Sequence, residues 1–95
     1  MKLRFTRSAR EQFLAAVSYI KSDNAKAAAN FFDRAEASLR ELEGFPAAGR
    51  SIPEFPSLPH RELIVNPYRF FYRVVDDTIW VVGVWHGRQL PREPH

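Results

Sequence analysis

The sequence contains no cysteine, which excludes disulfide bonds and thiolate metal ligands and is typical of a protein from a reducing compartment. No run of about twenty apolar residues occurs, so a membrane-spanning helix is not expected. The opening "MKLRFTRSAR" has basic residues with no apolar stretch behind them, which predicts the absence of a signal peptide. We therefore expect a cytoplasmic protein that does not associate with a membrane.

Motifs that carry catalytic or metal chemistry are also missing. There is no glycine-rich phosphate loop, no acidic cluster for a divalent cation and no serine or cysteine nucleophile motif. The three histidines are scattered and do not form a His-x-x-x-His pair. The residues by themselves thus predict no metal, no cofactor and no particular enzyme.

Lysine is scarce, and this makes the basic residues informative. Of the 14 basic residues only Lys2, Lys21 and Lys26 are lysines, and the formal net charge is +3. Arginine binds phosphate or carboxylate groups in a planar, two-pronged manner, whereas lysine offers a point charge. A surface for nucleic acid or for an acidic protein is one interpretation; a solvated, arginine-rich surface is the other, and the small net charge alone favours the second.

The first half of the chain predicts a short strand and two helices within one domain, residues 1–95. "KLRFT" alternates polar and apolar residues, and either Thr6 or Ser8 can cap the helix that follows. Residues 22–24 interrupt this helix and offer a second cap. The second helix is expected to run from Ala25 to Gly44. Because the break between the two helices is so short, they must lie antiparallel as a helical hairpin. Its expected buried stripe is Phe32, Ala35, Leu39 and Leu42.

The second half predicts a proline-rich loop followed by three strands. Residues 44–60 contain four prolines, which exclude a helix or a central strand, and four apolar residues are expected to pin this loop to the body: Phe45, Ile52, Phe55 and Leu58. The strands are "HRELIVN", Tyr68–Val75 and Thr78–His86, with a tight turn at Asp76-Asp77. Residues 88–95 are expected to fray. The fold class is α+β, with the helical hairpin on one face of a small, mainly antiparallel sheet.

Alternation along the last two strands predicts a face rich in arginine. Arg69, Phe71 and Arg73 share one face, and a two-residue turn places Trp80, Val82, Val84 and His86 there as well. The helices should cover the opposite face, because an unpaired guanidinium beneath a helix is costly. The partly open face that remains predicts a binding surface composed of Arg61, Arg69, Phe71, Arg73, Trp80, His86 and Arg88. Alternatively, Arg69 and Arg73 pair internally with Glu62, Asp76 or Asp77.

His60 and His86 each allow two interpretations. The unperturbed pKa of an imidazole lies near neutrality, so either residue is a candidate general base. Either is also explained as a structural residue that donates to a backbone carbonyl at the end of a strand or loop.

Taken together, these segments resemble the RelE/ParE superfamily of toxins from type II toxin–antitoxin pairs, and the ParE-like branch in particular. The resemblance rests on "FTRSAREQF", "YIKSDNAKAAANFFDRAEASLRELEGFP", "AAGR", "RELIV" and "YRFFYRVVDDTIWVVGVWHGR". It implies a helical hairpin on a small antiparallel sheet, and a toxin that stops growth until a cognate antitoxin folds a flexible segment over its apolar and basic surface. A toxin–antitoxin hetero-oligomer is therefore expected, with acidic and apolar residues in the antitoxin segment.

The resemblance also implies a choice between two targets. ParE-like members poison DNA gyrase, whereas RelE-like members cleave messenger RNA on the ribosome with lysines, arginines and a tyrosine near the C-terminus. Here residues 47–61 contain no lysine and no tyrosine follows Tyr72. Gyrase inhibition without catalysis is the favoured prediction. If the protein is instead a ribosome-dependent nuclease, its catalytic residues are Arg61, Arg69, Arg88 and His86 or His60.

Overall fold

The computed structural model describes all 95 residues, which form two helices and five strands. The elements in chain order are β1 (Lys2–Phe5), α1 (Arg7–Asp23), α2 (Ala25–Gly44), β2 (Arg50–Ser51), β3 (Arg61–Val65), β4 (Tyr68–Val75) and β5 (Thr78–His86). Neither helix is long and apolar enough to cross a membrane. The predicted elements are thus all present, and β2 is an additional short strand inside the proline-rich loop.

Two short polar side chains determine where the helices begin. The Thr6 Oγ1 accepts a hydrogen bond from the Ala9 N–H at 3.2 Å, so that Thr6, and not Ser8, caps α1. The Asn24 Oδ1 accepts from the Ala27 N–H at 3.0 Å and caps α2. Since Asn24 is the only residue between the helices, they fold back on each other as the predicted hairpin.

The five strands form one mixed sheet in the order β1-β5-β4-β3-β2. β1 runs parallel to β5, with Leu3 opposite Ile79 and Phe5 opposite Val81. The other three pairs are antiparallel, and the β4–β5 hairpin closes through the predicted two-residue turn at Asp76-Asp77. Asp76 has a φ of 55°, a left-handed conformation that aspartate tolerates better than most residues. The predicted α+β class and the mainly antiparallel sheet are confirmed.

The helices cover one face of the sheet, which we call the helix-covered face. Its core of 13 buried residues joins Phe31 and five other residues of α1 and α2 to Tyr68, Phe70 and Tyr72 of β4. The expected stripe on α2 is wrong by one residue at its start, because Phe31 is 1% exposed whereas Phe32 is 41% exposed. Phe32 instead stacks on Phe13 at the rim of the core, with ring centroids 5.7 Å apart.

A β-bulge in β5 changes which side chains share a face. Phe71 pairs with Gly83 and Tyr72 pairs with Val81, so that Val82 has no partner on β4. The Gln12 side chain of α1 accepts from the Val84 N–H at 2.9 Å beside this bulge. Beyond the bulge the alternation is shifted by one residue. The expectation that Val84 and His86 lie on the arginine face is therefore wrong, and Trp85 takes that position.

The opposite face of the sheet is covered by the proline-rich loop, and we call it the loop-covered face. Ile52 of the loop and Phe71 of β4 are both 0% exposed, and they pack with Val82, Phe55, Trp80 and Trp85. Ile52 and Phe55 thus hold the loop to the body as predicted, whereas Phe45 does not, because its side chain is 76% exposed. The centre of the face expected to be open is consequently closed.

Residues 88–95 contain no helix or strand, and part of this segment lies against the body. Pro91 is buried and Pro94 is half-buried. Four residues of the segment line a small hollow beside Trp85 and the bulge: Arg92, Glu93, Pro94 and His95. The segment for which fraying was predicted therefore covers one end of the loop-covered face.

Candidate functional site: a basic and aromatic surface around strand β1

Arg69 is buried in a network of ion pairs on the loop-covered face. Its Nε donates to Glu62 Oε1 at 2.7 Å, and its two terminal nitrogens donate to the carboxylate of Glu54 at 2.9 and 2.6 Å. Glu62 also accepts from Arg50 Nε at 2.6 Å, and its side chain is 0% exposed. The expectation that Arg69 is available to a partner is wrong; internal pairing with Glu62, the alternative interpretation, is correct.

The charges in this network stabilise one another. The hydrogen bond from Arg69 holds the pKa of the Glu54 carboxyl below its usual value, and the Glu54 carboxylate in turn raises the pKa of Arg69. The Arg69 guanidinium also lies over the ring of Phe71, 5.1 Å from its centroid. Because Phe71 is itself 0% exposed, the structure removes both Arg69 and Phe71 from the accessible binding residues.

Arg73 and Trp80 do lie at the surface, where they belong to a row of three side chains across neighbouring strands. Arg73 of β4 is opposite Trp80 of β5, and Trp80 is opposite Arg4 of β1. Directly opposed residues project from the same face of a sheet, so the indole lies between two guanidinium groups. Both arginines are exposed, Trp80 is half-buried, and neither arginine forms a salt bridge. We call these three residues the Arg4–Trp80–Arg73 row.

A groove runs from this row around the edge of β1 to the helices. One hollow brings Arg4, Arg10 and Trp80 together with the apolar side chains of Leu3, Phe5, Phe13 and Leu14. A second continues along α2 and shares three of those apolar residues, with Phe32, Leu39, Glu36, Arg40 and Glu43. We call the two hollows the β1 groove. It offers apolar area at its centre and cations at one end.

The start of α1 adds positive charge to that end of the groove. Its first turn contains Arg7 and Arg10 and no acidic residue. Cations at a helix N-terminus oppose the helix dipole and cost a few tenths to about 1 kcal/mol each. These arginines therefore do not stabilise the helix through the dipole, and together with Arg4 they make the surface attractive to carboxylate or phosphate groups.

Arg61 lies at a different place, near the loop that follows α2. Its Nη1 donates to the Gly49 carbonyl at 2.8 Å, and the exposed remainder of the side chain lines a hollow with Arg73, Pro46 and Ala47. Arg61 is opposite Tyr72, which belongs to the helix-covered face. Arg61 therefore projects from the face opposite to that of Arg69 and Arg73, although Arg61 and Arg73 both line this hollow at the end of the strands.

His86 and Arg88 lie at the far end of β5. The His86 Nδ1 accepts from the Arg88 N–H at 3.0 Å, and its ring contacts the edge of Tyr68 at 5.2 Å between centroids. Burial raises the pKa of the Tyr68 hydroxyl, which makes it a poorer acid. The arrangement corresponds to the structural interpretation of His86 at a strand end, although the ring accepts from a backbone N–H and does not donate to a carbonyl.

His60 is a buried residue and not a surface base. It is 5% exposed, and neither ring nitrogen has a hydrogen-bond partner of normal geometry. Burial lowers the pKa of this imidazole, and the nearby Arg73 lowers it further. The backbone of His95 and the carboxylate of Glu93 act in the opposite direction. The residue thus stays neutral within the fold near neutral pH.

The candidate nuclease residues are not assembled into one site. Arg69 is occupied by two carboxylates and His60 is buried. Arg61 is opposite Tyr72 while His86 is opposite Tyr68, and four residues along a strand correspond to about 13 Å. Of these residues His86 and Arg88 are joined directly, through the bond between the Arg88 N–H and His86 Nδ1, whereas Arg61, Arg69 and His60 are not joined with them in one site.

Sequence reasoning missed Arg4, Arg10 and the apolar lining of the β1 groove. Arg4 stands between Leu3 and Phe5 in an alternating segment, which marks it as projecting from the opposite face. What the sequence did not reveal is the neighbour of that strand, because the parallel pairing of β1 with β5 joins residues more than 70 positions apart. With that pairing known, the position of Arg4 beside Trp80 follows directly.

The fold is similar to that of a solved structure from a toxin–antitoxin system. The structure matches a chain of the chromosomal ParDE toxin–antitoxin system from P. aeruginosa with a TM-score of 0.76. The match covers 90% of this chain and 95% of that chain at 19% sequence identity, so it establishes the fold alone. No curated protein gives a significant sequence match.

The family follows from the sequence itself. Residues 3–91 match the model of the ParE toxin of the type II toxin–antitoxin system parDE. The match covers almost the entire chain, and the protein belongs to this ParE toxin family. The predicted resemblance to the ParE-like branch of the RelE/ParE superfamily is thereby confirmed.

Proposed function

We propose that this protein is a growth-inhibiting toxin that acts in the cytoplasm by inhibiting DNA gyrase and is neutralised by a cognate antitoxin. Family membership supports the toxin class. The observation that favours protein binding over catalysis is the state of Arg69, because its guanidinium is held by Glu54 and Glu62 and is not free to bind a phosphate. The exposed arginines beside Trp80 supply a surface for contacts with another protein.

The antitoxin is proposed to occupy the β1 groove and the Arg4–Trp80–Arg73 row. The groove is concave and apolar at Leu3, Phe5 and Phe13, which suits a segment that folds as it binds. Unpaired guanidinium groups at one end favour carboxylates, and charge-assisted arginine–carboxylate bonds would set the position of that segment. The partner is thus an acidic and apolar segment, and the complex is a toxin–antitoxin hetero-oligomer.

The target is tested by inducing the toxin without its antitoxin and measuring plasmid topology and messenger RNA integrity in the same cells. We expect growth arrest with loss of negative supercoiling and intact messenger RNA. The purified toxin should block supercoiling by purified gyrase. Cleavage of messenger RNA at codon positions with unchanged topology would instead identify the ribosome-dependent nuclease, and growth without a defect would identify an inactive relative that only binds a partner.

The antitoxin surface is tested with Trp80→Ala and Arg73→Glu. Each should weaken the complex about tenfold or more in titration calorimetry, because a partly buried aromatic group and an arginine that contacts carboxylates are typical binding hot spots. Lys26→Glu is the control, since it makes the same charge change on the exposed start of α2. Unchanged affinity in both variants, with Lys26→Glu also unchanged, would place the antitoxin elsewhere.

A further inference from the structure

The loop between α2 and β2 carries an exposed aromatic side chain that the fold does not use. Phe45 is 76% exposed, and its hydrogen bonds within the fold are made by the backbone alone: its N–H donates to the Glu41 carbonyl at 3.0 Å, and its carbonyl accepts from the Ala48 N–H at 3.0 Å. Any residue other than proline provides both groups. The ring itself is thus not required by the fold and is free to contact another molecule.

The loop that presents Phe45 is held in one conformation by buried groups. The Tyr72 hydroxyl donates to the Pro46 carbonyl at 2.6 Å and accepts from the Gly49 N–H at 2.9 Å. Arg61 donates to the Gly49 carbonyl at 2.8 Å. A side chain at position 49 would place its Cβ 2.6 Å from the Glu62 carbonyl oxygen and from the Tyr72 hydroxyl, so glycine is required there. Residues 45–49 are thus ordered before any partner binds, which lowers the entropy cost of association.

The surroundings of the loop are positively charged. Pro46 and Ala47 line a hollow of about 300 Å³ together with Arg61 and Arg73, and no acidic residue lines it. Arg73 is exposed and forms no salt bridge. Arg61 is also exposed, and one of its terminal nitrogens donates to the Gly49 carbonyl. A surface that complements this loop offers carboxylates around an apolar depression.

We propose that residues 45–49 form an apolar anchor, with Phe45 at its tip, that inserts into a concave apolar pocket rimmed by acidic groups on the folded target protein. The inference rests on the proposed function, in which that target is DNA gyrase. A rigid, convex element fits a pocket that exists beforehand, whereas a segment that folds on the toxin fits the concave β1 groove. The anchor therefore binds the target and not the antitoxin.

The experiment compares Phe45→Ala with Tyr19→Ala, which removes an aromatic ring of similar exposure (73%) from α1. Both substitutions are at the surface, so both variants should fold, and circular dichroism and matched expression levels check this. Three quantities are measured: growth arrest on induction without antitoxin, inhibition of gyrase supercoiling, and antitoxin affinity. We expect Phe45→Ala to relieve growth arrest and to raise the concentration for half-inhibition of gyrase about tenfold or more. Its antitoxin affinity should change less than about twofold, and Tyr19→Ala should leave all three unchanged.

The outcomes separate this inference from the proposed function. Growth arrest and gyrase inhibition by Phe45→Ala at the wild-type level would overturn the anchor while leaving gyrase as the target. Equal losses of toxicity and of antitoxin affinity would also overturn it, because the loop would then be an antitoxin contact. A wild-type toxin that arrests growth without inhibiting gyrase would refute the proposed target. Relief of that arrest by Phe45→Ala, with antitoxin affinity retained, would still support an anchor for a different folded protein.

Discussion

The two faces of the sheet are closed by different physical means. The helix-covered face is buried by apolar side chains, with Phe70 of β4 packed against Phe13 at 5.6 Å and Phe31 at 6.4 Å between ring centroids. The loop-covered face has only three buried apolar residues, and a network of two arginines and two glutamates lies beside them. The helix-covered face provides most of the stability. The loop-covered face holds the proline-rich loop in place, and the exposed Arg61 and Arg73 lie beside the start of that loop.

The largest expected effect concerns neighbouring phenylalanines of β4 that point to opposite faces. Both Phe70 and Phe71 are 0% exposed. Phe70→Ala should lower the free energy of unfolding by about 4 kcal/mol, and Phe71→Ala by about 3 kcal/mol, because a loop moves into a cavity more easily than two packed helices do. Urea unfolding followed by tryptophan fluorescence measures both. Equal losses, or a larger loss for Phe71→Ala, would contradict the contrast between the faces.

A somewhat smaller effect is expected in the ion-pair network. Arg69→Met leaves the fully buried Glu62 with Arg50 as its only cation and should cost about 3 kcal/mol in unfolding free energy. Arg50→Met is the matched control, since it removes the other partner of the same carboxylate. Its side chain is 65% exposed, so its loss should cost about 1 kcal/mol or less. Similar costs for the two variants would show that burial of Arg69 does not determine its contribution.

The smallest effect is a dependence of stability on pH that His60 introduces. Because the pKa of His60 is lowered in the folded protein from its ordinary value of 6.5, the unfolded chain binds a proton there more readily than the folded protein does. The free energy of unfolding should therefore fall as the pH decreases from about 7 through 6.5 toward the lowered pKa. His60→Leu should flatten this dependence in urea titrations at several pH values, whereas His95→Gln should preserve it. A wild-type slope that persists in His60→Leu would assign the effect to another group.

The parts of the fold that the sequence predicted correctly depend on local chemistry. Asn24 follows a broken helical pattern and precedes a run of helix formers, and Asp76-Asp77 separates two apolar alternating segments. In each case the side chain that decides the structure is close in sequence to the backbone that it affects. The caps, the hairpin and the fold class could therefore be predicted.

The errors depend on contacts between distant residues. The bulge at Val82 reverses the orientation of every later residue in β5, and nothing in "IWVVGVWH" other than Gly83 marks it. Glu54 lies 15 residues before Arg69 in a loop whose path the prolines do not specify, so the bidentate pair could not be foreseen. Alternation along the strands placed Arg73 and Trp80 correctly, because both residues lie between the Asp76-Asp77 turn and the bulge.

The strand order has a consequence for the timing of folding during synthesis. β1 is the first strand made, yet its only neighbour in the sheet is β5, which ends at His86. Leu3 and Phe5 thus have no strand to join until β5 has left the ribosome, and pairings over such sequence separations form slowly. The surface around β1 that we propose for the antitoxin is then the last part of this sheet to be completed, so a nascent chain cannot be captured there before β5 has been synthesised.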